Sequence, residues 1–386
     1  MFICMDTEGV ILMSEYKSRV YTERPAYADY DSPEKFQTLE GIIITRLTQH
    51  PNAICSYSGG SDSDILIDLI ERTRKMFNAA CGCEALKPVK YVFFNTGLEM
   101  KATKDHVKAT AEKYGVEIEE CRPKINIVKA SREYGAPFLN KHFSQRLSDY
   151  QKRNVPMSIV DEHKNAEKKS EKYHEIVERY PNSKGLINFL LGTDKNGEYH
   201  LTQFALDSEK WLKDFLQSYP PRFRISAKCC DYCKKQPAHE VQKGYSIIIT
   251  GERKAEGGVR ASGQTGGCFK ELQNGQYRFR PLFYVSDKDK AWYKEYYGIK
   301  YSDAYEVYGL IRTGCCGCPI SYKAVDDLEK IRPYEPNVVK AAYNLFGKSY
   351  EYRRMYNEYK AKRMAEEKAK KQKNNQQLSL FAEKER

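Results

Sequence analysis

A short apolar run, Asn52-Ala-Ile-Cys-Ser-Tyr57, ends in Ser58-Gly59-Gly60-Ser61-Asp62-Ser63, and helical spacing starts at once with Ile65, Leu66, Leu69 and Ile70. This strand–loop–helix order constrains the fold more than any other stretch. Two adjacent glycines let the backbone turn its N–H groups outward, and the next helix adds the positive end of its dipole, so the loop suits phosphate or sulfate. The same residues also suit a tight connection with no ligand. No lysine follows the second glycine, which excludes a Walker A loop. The surroundings repeat the pattern. Pro33–His50 carries an apolar stripe (Phe36, Leu39, Ile43, Leu47), Lys90–Asn95 reads as a strand, and Thr96-Gly97 as a turn. A helix is expected from about Thr103 to Tyr114 and a third strand over Val116–Glu119. This alternation predicts an α/β fold built on a doubly wound parallel sheet.

The rest of the 386 residues divides by composition. Residues 1–33 have no clean period and read as an extension. A nucleotide-binding domain is expected over 34–345, with a charged helical insertion at about 150–222 and a cysteine-rich part at about 224–335. Within the insertion, Asp161–Arg179 and Leu206–Tyr219 each read as one helix. A basic helix is expected over 346–373 and a polar, disordered tail over 374–386. Hydrophobic residues make up 41% and charged residues 30%, which excludes a wholly disordered or collagen-like chain. No apolar run approaches the roughly 18 residues of a membrane span. No basic start leads into an apolar stretch, so a cytoplasmic protein is expected, with no membrane partner. In that compartment the twelve cysteines read as metal ligands or core thiols before disulfides.

The loop resembles that of the adenine-nucleotide α-hydrolase superfamily, Ser-Gly-Gly-x-Asp-Ser, and within it the phosphoadenosine-phosphosulfate (PAPS) reductase family. Three further stretches agree: Phe93-Phe-Asn-Thr-Gly-Leu-Glu99, then Thr250-Gly-Glu-Arg253 with Ala255-Glu256 and Arg260, and Arg312-Thr-Gly-Cys315. The resemblance covers about residues 35–335. It implies that Ser58, Gly59, Gly60, Ser61, Asp62 and Ser63 hold the phosphates of ATP or of a sulfonucleotide (APS or PAPS). Thr96, Gly97 and Glu99 would border the adenosine, and Arg253 and Arg260 would neutralise the anion. With ATP as ligand, Asp62 would help to place Mg²⁺.

The cysteines give two readings. The resemblance implies a [4Fe–4S] cluster on Cys229, Cys230, Cys315 and Cys318, because adenylyl-sulfate reductases place a tandem Cys and a later Cys-x-x-Cys in this way. The spacing Cys230-Asp-Tyr-Cys233 instead suits a four-cysteine zinc site with Cys315 and Cys318, and Cys268 could substitute as a ligand. Sulfonucleotide reductases attack sulfur with a cysteine near their C-terminus, and this chain has none after Cys318. The expected function is therefore sulfur transfer driven by a bound nucleotide and assisted by a sulfur- or electron-donor protein. The alternatives are true APS/PAPS reduction and a non-catalytic nucleotide sensor recruited to DNA. The DNA reading rests on the basic helix and on Gln377-Leu-Ser-Leu-Phe381, which resembles a peptide that docks on the DNA sliding clamp.

Overall fold

A computed structural model describes residues 33–200, 204–257 and 266–384. Residues 1–32 of the expected 1–33 extension and Arg260 lie outside them. The chain forms two compact units. The first combines residues 33–126 with Tyr232–Cys316 and Lys330–Val338; the second combines Ile127–Asp231, Gly317–Glu329 and residues 339–384.

The first unit is built on a six-stranded sheet. Its strands are β1 (Ala53–Ser56), β2 (Lys90–Phe94), β3 (Ile118–Cys121), β4 (Ile247–Thr250), β5 (Phe269–Glu271) and β6 (Tyr277–Phe279). They are ordered β3-β2-β1-β4-β6-β5, and only β5 runs antiparallel to its neighbour. Successive residues point to opposite faces. Cys55, Tyr91, Phe93, Ile247, Ile249 and Phe279 form one core with apolar residues of the helices Pro33–Gln49, Ser61–Cys81 and Asp287–Tyr296. Ile54, Val92 and Ile248 form the other with Val241, from the helix Gln236–Gln242, and Tyr245. Burial on both faces explains why these strands read as continuous apolar runs.

The strand order places the site. From β1 the chain moves to β2 on one side, while β4 pairs with β1 on the other, Cys55 lying between Tyr91 and Ile249. A crevice opens where the order reverses, outside the carboxyl ends of β1 and β4.

Two boundaries differ from the sequence reading. β3 starts at Ile118 because the Val116 N–H donates back to the Ala111 carbonyl (3.0 Å), closing the preceding helix with Gly115 in the left-handed conformation. That helix starts at Lys101, earlier than expected. The Glu335 carboxylate accepts from the Lys101 and Ala102 N–H groups at 2.7 and 3.0 Å, a cap supplied from far along the chain.

The second unit is helical and wider than the expected insertion, since it starts at Ile127 and includes residues beyond Gly317. The stretch Asp161–Arg179 is two helices, Ile159–Lys164 and Lys169–Arg179, and Leu206–Tyr219 is a short 3-10 turn followed by Leu212–Ser218. Phe138, Phe143, Tyr173, Phe189 and Phe215 pack there with Tyr352 and Tyr356. The last two sit on a helix that runs from Pro336 to Lys384, through the Gln377–Phe381 stretch where a disordered tail was expected. Nothing interrupts it: no proline or glycine follows Gly347, and Ala, Leu, Gln, Glu and Lys propagate helices well. No described helix is long and apolar enough to cross a membrane.

Candidate nucleotide site

Ser58-Gly59-Gly60 links β1 to the helix Ser61–Cys81. Gly59 has φ +65°, and a Cβ there would lie 2.9 Å from Thr103 Cγ2, so both backbone and space select glycine. Ser63 fixes the turn rather than facing outward. Its buried hydroxyl accepts from the Gly60 N–H (3.0 Å) and donates to the Gly60 carbonyl (2.7 Å). Ser58 Oγ lies 3.1 Å from Ser63 Oγ and accepts from the Gly60 N–H at 3.3 Å. The loop is thus held by its own serines, while the first helical turn presents backbone N–H groups at its open end.

A cavity of about 480 Å³ lies over this turn. Ser58, Gly60, Ser61 and Asp62 line one wall, and Arg253, Lys290, Tyr305, Arg312 and Thr313 contribute to the others. Asp62 is paired with two cations: Oδ1 accepts from Arg253 Nε at 2.8 Å and lies 2.7 Å from Lys290 Nζ. Lys290 also donates to Ser61 Oγ at 2.5 Å. The Tyr305 hydroxyl accepts from the Ser61 N–H at 3.3 Å and lies 3.2 Å from Thr313 Oγ1.

Arg253 was expected to meet the anion. It is 4% exposed, and its remaining donors go to Asp287 Oδ1 (2.7 Å) and the Val285 carbonyl (3.1 Å). Burial opposes its charge, but the Asp62 and Asp287 carboxylates outweigh it and raise its pKa. Arg253 therefore braces the crevice with a fixed positive charge. Arg312, at its other side, is largely exposed and lies 3.7 Å from Glu256.

Thr96, Gly97 and Glu99 do not line this cavity. Thr96 Oγ1 donates to Glu99 Oε1 (2.9 Å) and lies 3.3 Å from Cys315 Sγ, while the Cys316 N–H donates to the Leu98 carbonyl at 2.8 Å. These residues knit the turn after β2 to the Arg-Thr-Gly-Cys stretch. Gly97 has φ +92°, and its N–H is held by Asn95 Oδ1 at 2.9 Å.

Of the candidate metal ligands, Cys315 and Cys233 belong to the first unit, where Cys233 Sγ–H donates to the Ile125 carbonyl at 3.3 Å. Cys229 and Cys230, on the helical turn Lys228–Cys230, and Cys318 belong to the second. Cys268 precedes β5, and burial raises its thiol pKa. Sequence reasoning missed Lys290, Tyr305 and Thr313. Arg312 and Thr313 stand inside a stretch already singled out, whereas Lys290 sits in Asp287-Lys-Asp-Lys290, which reads as a solvated helix face.

No curated protein matches the sequence. Among solved structures, the chain is similar to phosphoadenylyl-sulfate (PAPS) reductase from Candida auris in its phosphate complex, at 14% identity and a TM-score of 0.36, covering 82% of this chain and 98% of that one. It is also similar to the U34-tRNA thiolase NcsA from Methanococcus maripaludis with its [4Fe-4S] cluster, at 13% identity and a TM-score of 0.30, covering 88% and 86%. The sequence itself matches the phosphoadenosine phosphosulfate reductase domain over residues 52–167 and 150–321, so the chain belongs to that family.

Proposed function

We propose that this chain is an enzyme that binds an adenine nucleotide over the Ser58–Asp62 loop and uses it in sulfur transfer. One observation carries the reading: a cavity of about 480 Å³ sits over a helix N-terminus at the reversal point of the sheet, with Arg253, Lys290 and Arg312 on its walls. The helix end favours a phosphate-bearing ligand, and a cation released from its carboxylate would add to that attraction. The first turn would receive the phosphates by its N–H groups, Ser61 would add a hydroxyl, and Arg312 would meet charge entering from solvent. Arg253 would hold Asp62 in place without touching the ligand.

Cys229, Cys230, Cys315 and Cys318 would hold a [4Fe–4S] cluster, and an all-thiol donor set fits one. When bound, such a cluster supplies one-electron chemistry or a Lewis-acidic iron.

The test is calorimetric titration with ATP, APS and PAPS, followed by product analysis. Binding of ATP with release of pyrophosphate supports nucleotide-driven sulfur transfer, and sulfite from APS or PAPS would make the protein a reductase instead. Absence of binding to all three at about 1 mM, the weak end of specific affinity, would remove the site assignment. Iron content near four per chain with a brown colour supports the cluster; one stoichiometric zinc in colourless protein would replace it with the zinc site.

A further inference from the structure

We infer that Lys290 exchanges partners on ligand binding: it leaves Asp62 and takes an anionic oxygen of the nucleotide. The inference rests on the nucleotide reading above and names a ligand-contacting residue within it.

The charge on the cavity wall is the first observation. Among the described lining residues, Arg253, Lys290 and Arg312 face Asp62, Glu256 and Asp287, three cations against three carboxylates. A wall balanced in this way offers a polyanion no surplus of positive charge. Binding therefore requires a cation to leave its carboxylate, and the cost depends on what that carboxylate keeps.

The second observation is the difference between the two cations on Asp62. Arg253 has a side chain 5% exposed and is held by Asp62, Asp287 and the Val285 carbonyl, so moving it would strand buried partners. Lys290 is 17% exposed, carries a flexible four-carbon stem, holds Ser61 Oγ and Asp62 Oδ1, and lies 5.7 Å from the centre of the Tyr301 ring. When it leaves, Asp62 keeps Arg253 at 2.8 Å and no buried charge is left unpaired. Lys290 is the cheaper cation to release.

The third is its placement. Lys290 projects from the helix Asp287–Tyr296, whose start is fixed by Ser286: the Asp289 N–H donates to Ser286 Oγ (3.2 Å), and the Ser286 N–H to Asp289 Oδ2 (2.7 Å). Its ammonium touches Ser61, the first residue of the loop helix. A ligand oxygen at that helix end is therefore within reach of Lys290 without backbone movement.

The exchange makes a prediction of unusual sign. Asp62 competes with the nucleotide for Lys290, so removing its charge should tighten binding in the absence of divalent metal. The experiment is calorimetry with ATP in EDTA on wild type, Lys290→Met, Lys290→Arg, Asp62→Asn and the Lys290→Met/Asp62→Asn double variant, with thermal midpoints measured alongside. Lys290→Met should bind about tenfold more weakly, the loss of one charge-assisted hydrogen bond. Lys290→Arg should recover most of that loss. Asp62→Asn should bind about three- to tenfold more tightly than wild type, and the gain should vanish in the double variant, as the coupling of a contacting pair requires. Unchanged affinity in a normally folded Lys290→Met protein overturns the inference, and so does weaker metal-free binding by Asp62→Asn. A wild type that binds no nucleotide at all instead overturns the site reading on which the inference stands.

Discussion

The two units bury different things. The sheet unit buries formal charges, among them Asp64, Asp68, Glu71, Glu99, Arg253 and Arg280. Among the described residues of the helical unit, the buried polar side chains are serines, Thr193 and His163, with no Asp, Glu, Lys or Arg. Removing a charge from water costs several kcal/mol even after relaxation, and it is tolerated only with good partners. The sheet unit supplies those partners in chains. The Asp64 carboxylate accepts from Tyr57 (2.5 Å) and lies 2.9 Å from His106 Nε2, and Asp68 accepts from Tyr114 and Tyr293. Asp64 and Asp68 lie one and two turns along the helix that begins at the nucleotide loop. Both units pack rings on rings, but among the described residues the sheet unit alone also spends stability on a fixed frame of buried charges.

The largest test of this contrast is in the aromatic core. Phe215 is fully buried, with its ring centroid 5.0 Å from that of Tyr352 and 5.1 Å from that of Tyr356. Phe215→Ala should cost about 3–5 kcal/mol in denaturant unfolding; a loss under about 1 kcal/mol would break the comparison. The chain has two tryptophans, Trp211 in the helical unit and Trp292 in the sheet unit, so single-tryptophan variants report each unit separately.

Next in size is Arg253→Met. It leaves Asp62 and Asp287 without their shared partner, and because Asp287 is 80% exposed the expected loss is about 2 kcal/mol, below that of a fully buried pair. Followed through Trp292 fluorescence, Arg253→Lys should not recover it, since three separate guanidinium nitrogens are engaged. Gly59→Ala should cost about 1–2 kcal/mol from the left-handed backbone alone. Contacts with Thr103 and Val107 add to this, and Thr103→Ser, which deletes the nearer methyl group, should recover only part of the steric share. Recovery of the whole loss would show that the backbone strain was overstated.

The smallest effect is on pH. Burial, then Arg146, lowers the pKa of His142; burial, then Lys169, lowers that of His163. Both belong to the helical unit. With folded values below the unfolded value of about 6.5, the unfolded chain binds more protons, so stability is full above that pH and is lost as pH falls through it. The Trp211-reported melting midpoint should drop between pH 7 and pH 5.5, and His163→Gln should reduce the drop. A flat profile would contradict the assignment.

Legibility in the sequence followed the range of the interactions. The strand–loop–helix alternation and the glycine loop are local, and the sequence shows them directly. The pairing of β1 with β4 joins Ala53 to Ile247 across the whole helical region, and no local pattern encodes it. Thr96 and Glu99 were singled out, but their proximity to Cys315 depends on that same long-range closure. Arg253 was chosen for its charge, and only the structure shows that carboxylates already occupy it. Lys290 carried no signal because a lysine among aspartates is indistinguishable in sequence from solvated surface.

The two outer strands of the sheet bear on how the protein behaves in concentrated solution. Among the described residues neither has a strand on its outer side, and such an edge is a row of backbone groups to which another chain could attach. β5 is only three residues long and exposes Lys270 and Glu271. β3 exposes Glu119 and Glu120, which lie 2.8 Å from Lys90 and 2.5 Å from Arg122. A second copy aligning on β3 would bring acidic side chains against acidic side chains, and on β5 it would find too few residues to hold. The central strands, apolar on both faces, are thereby fenced off from the sheet-to-sheet growth that leads to aggregates.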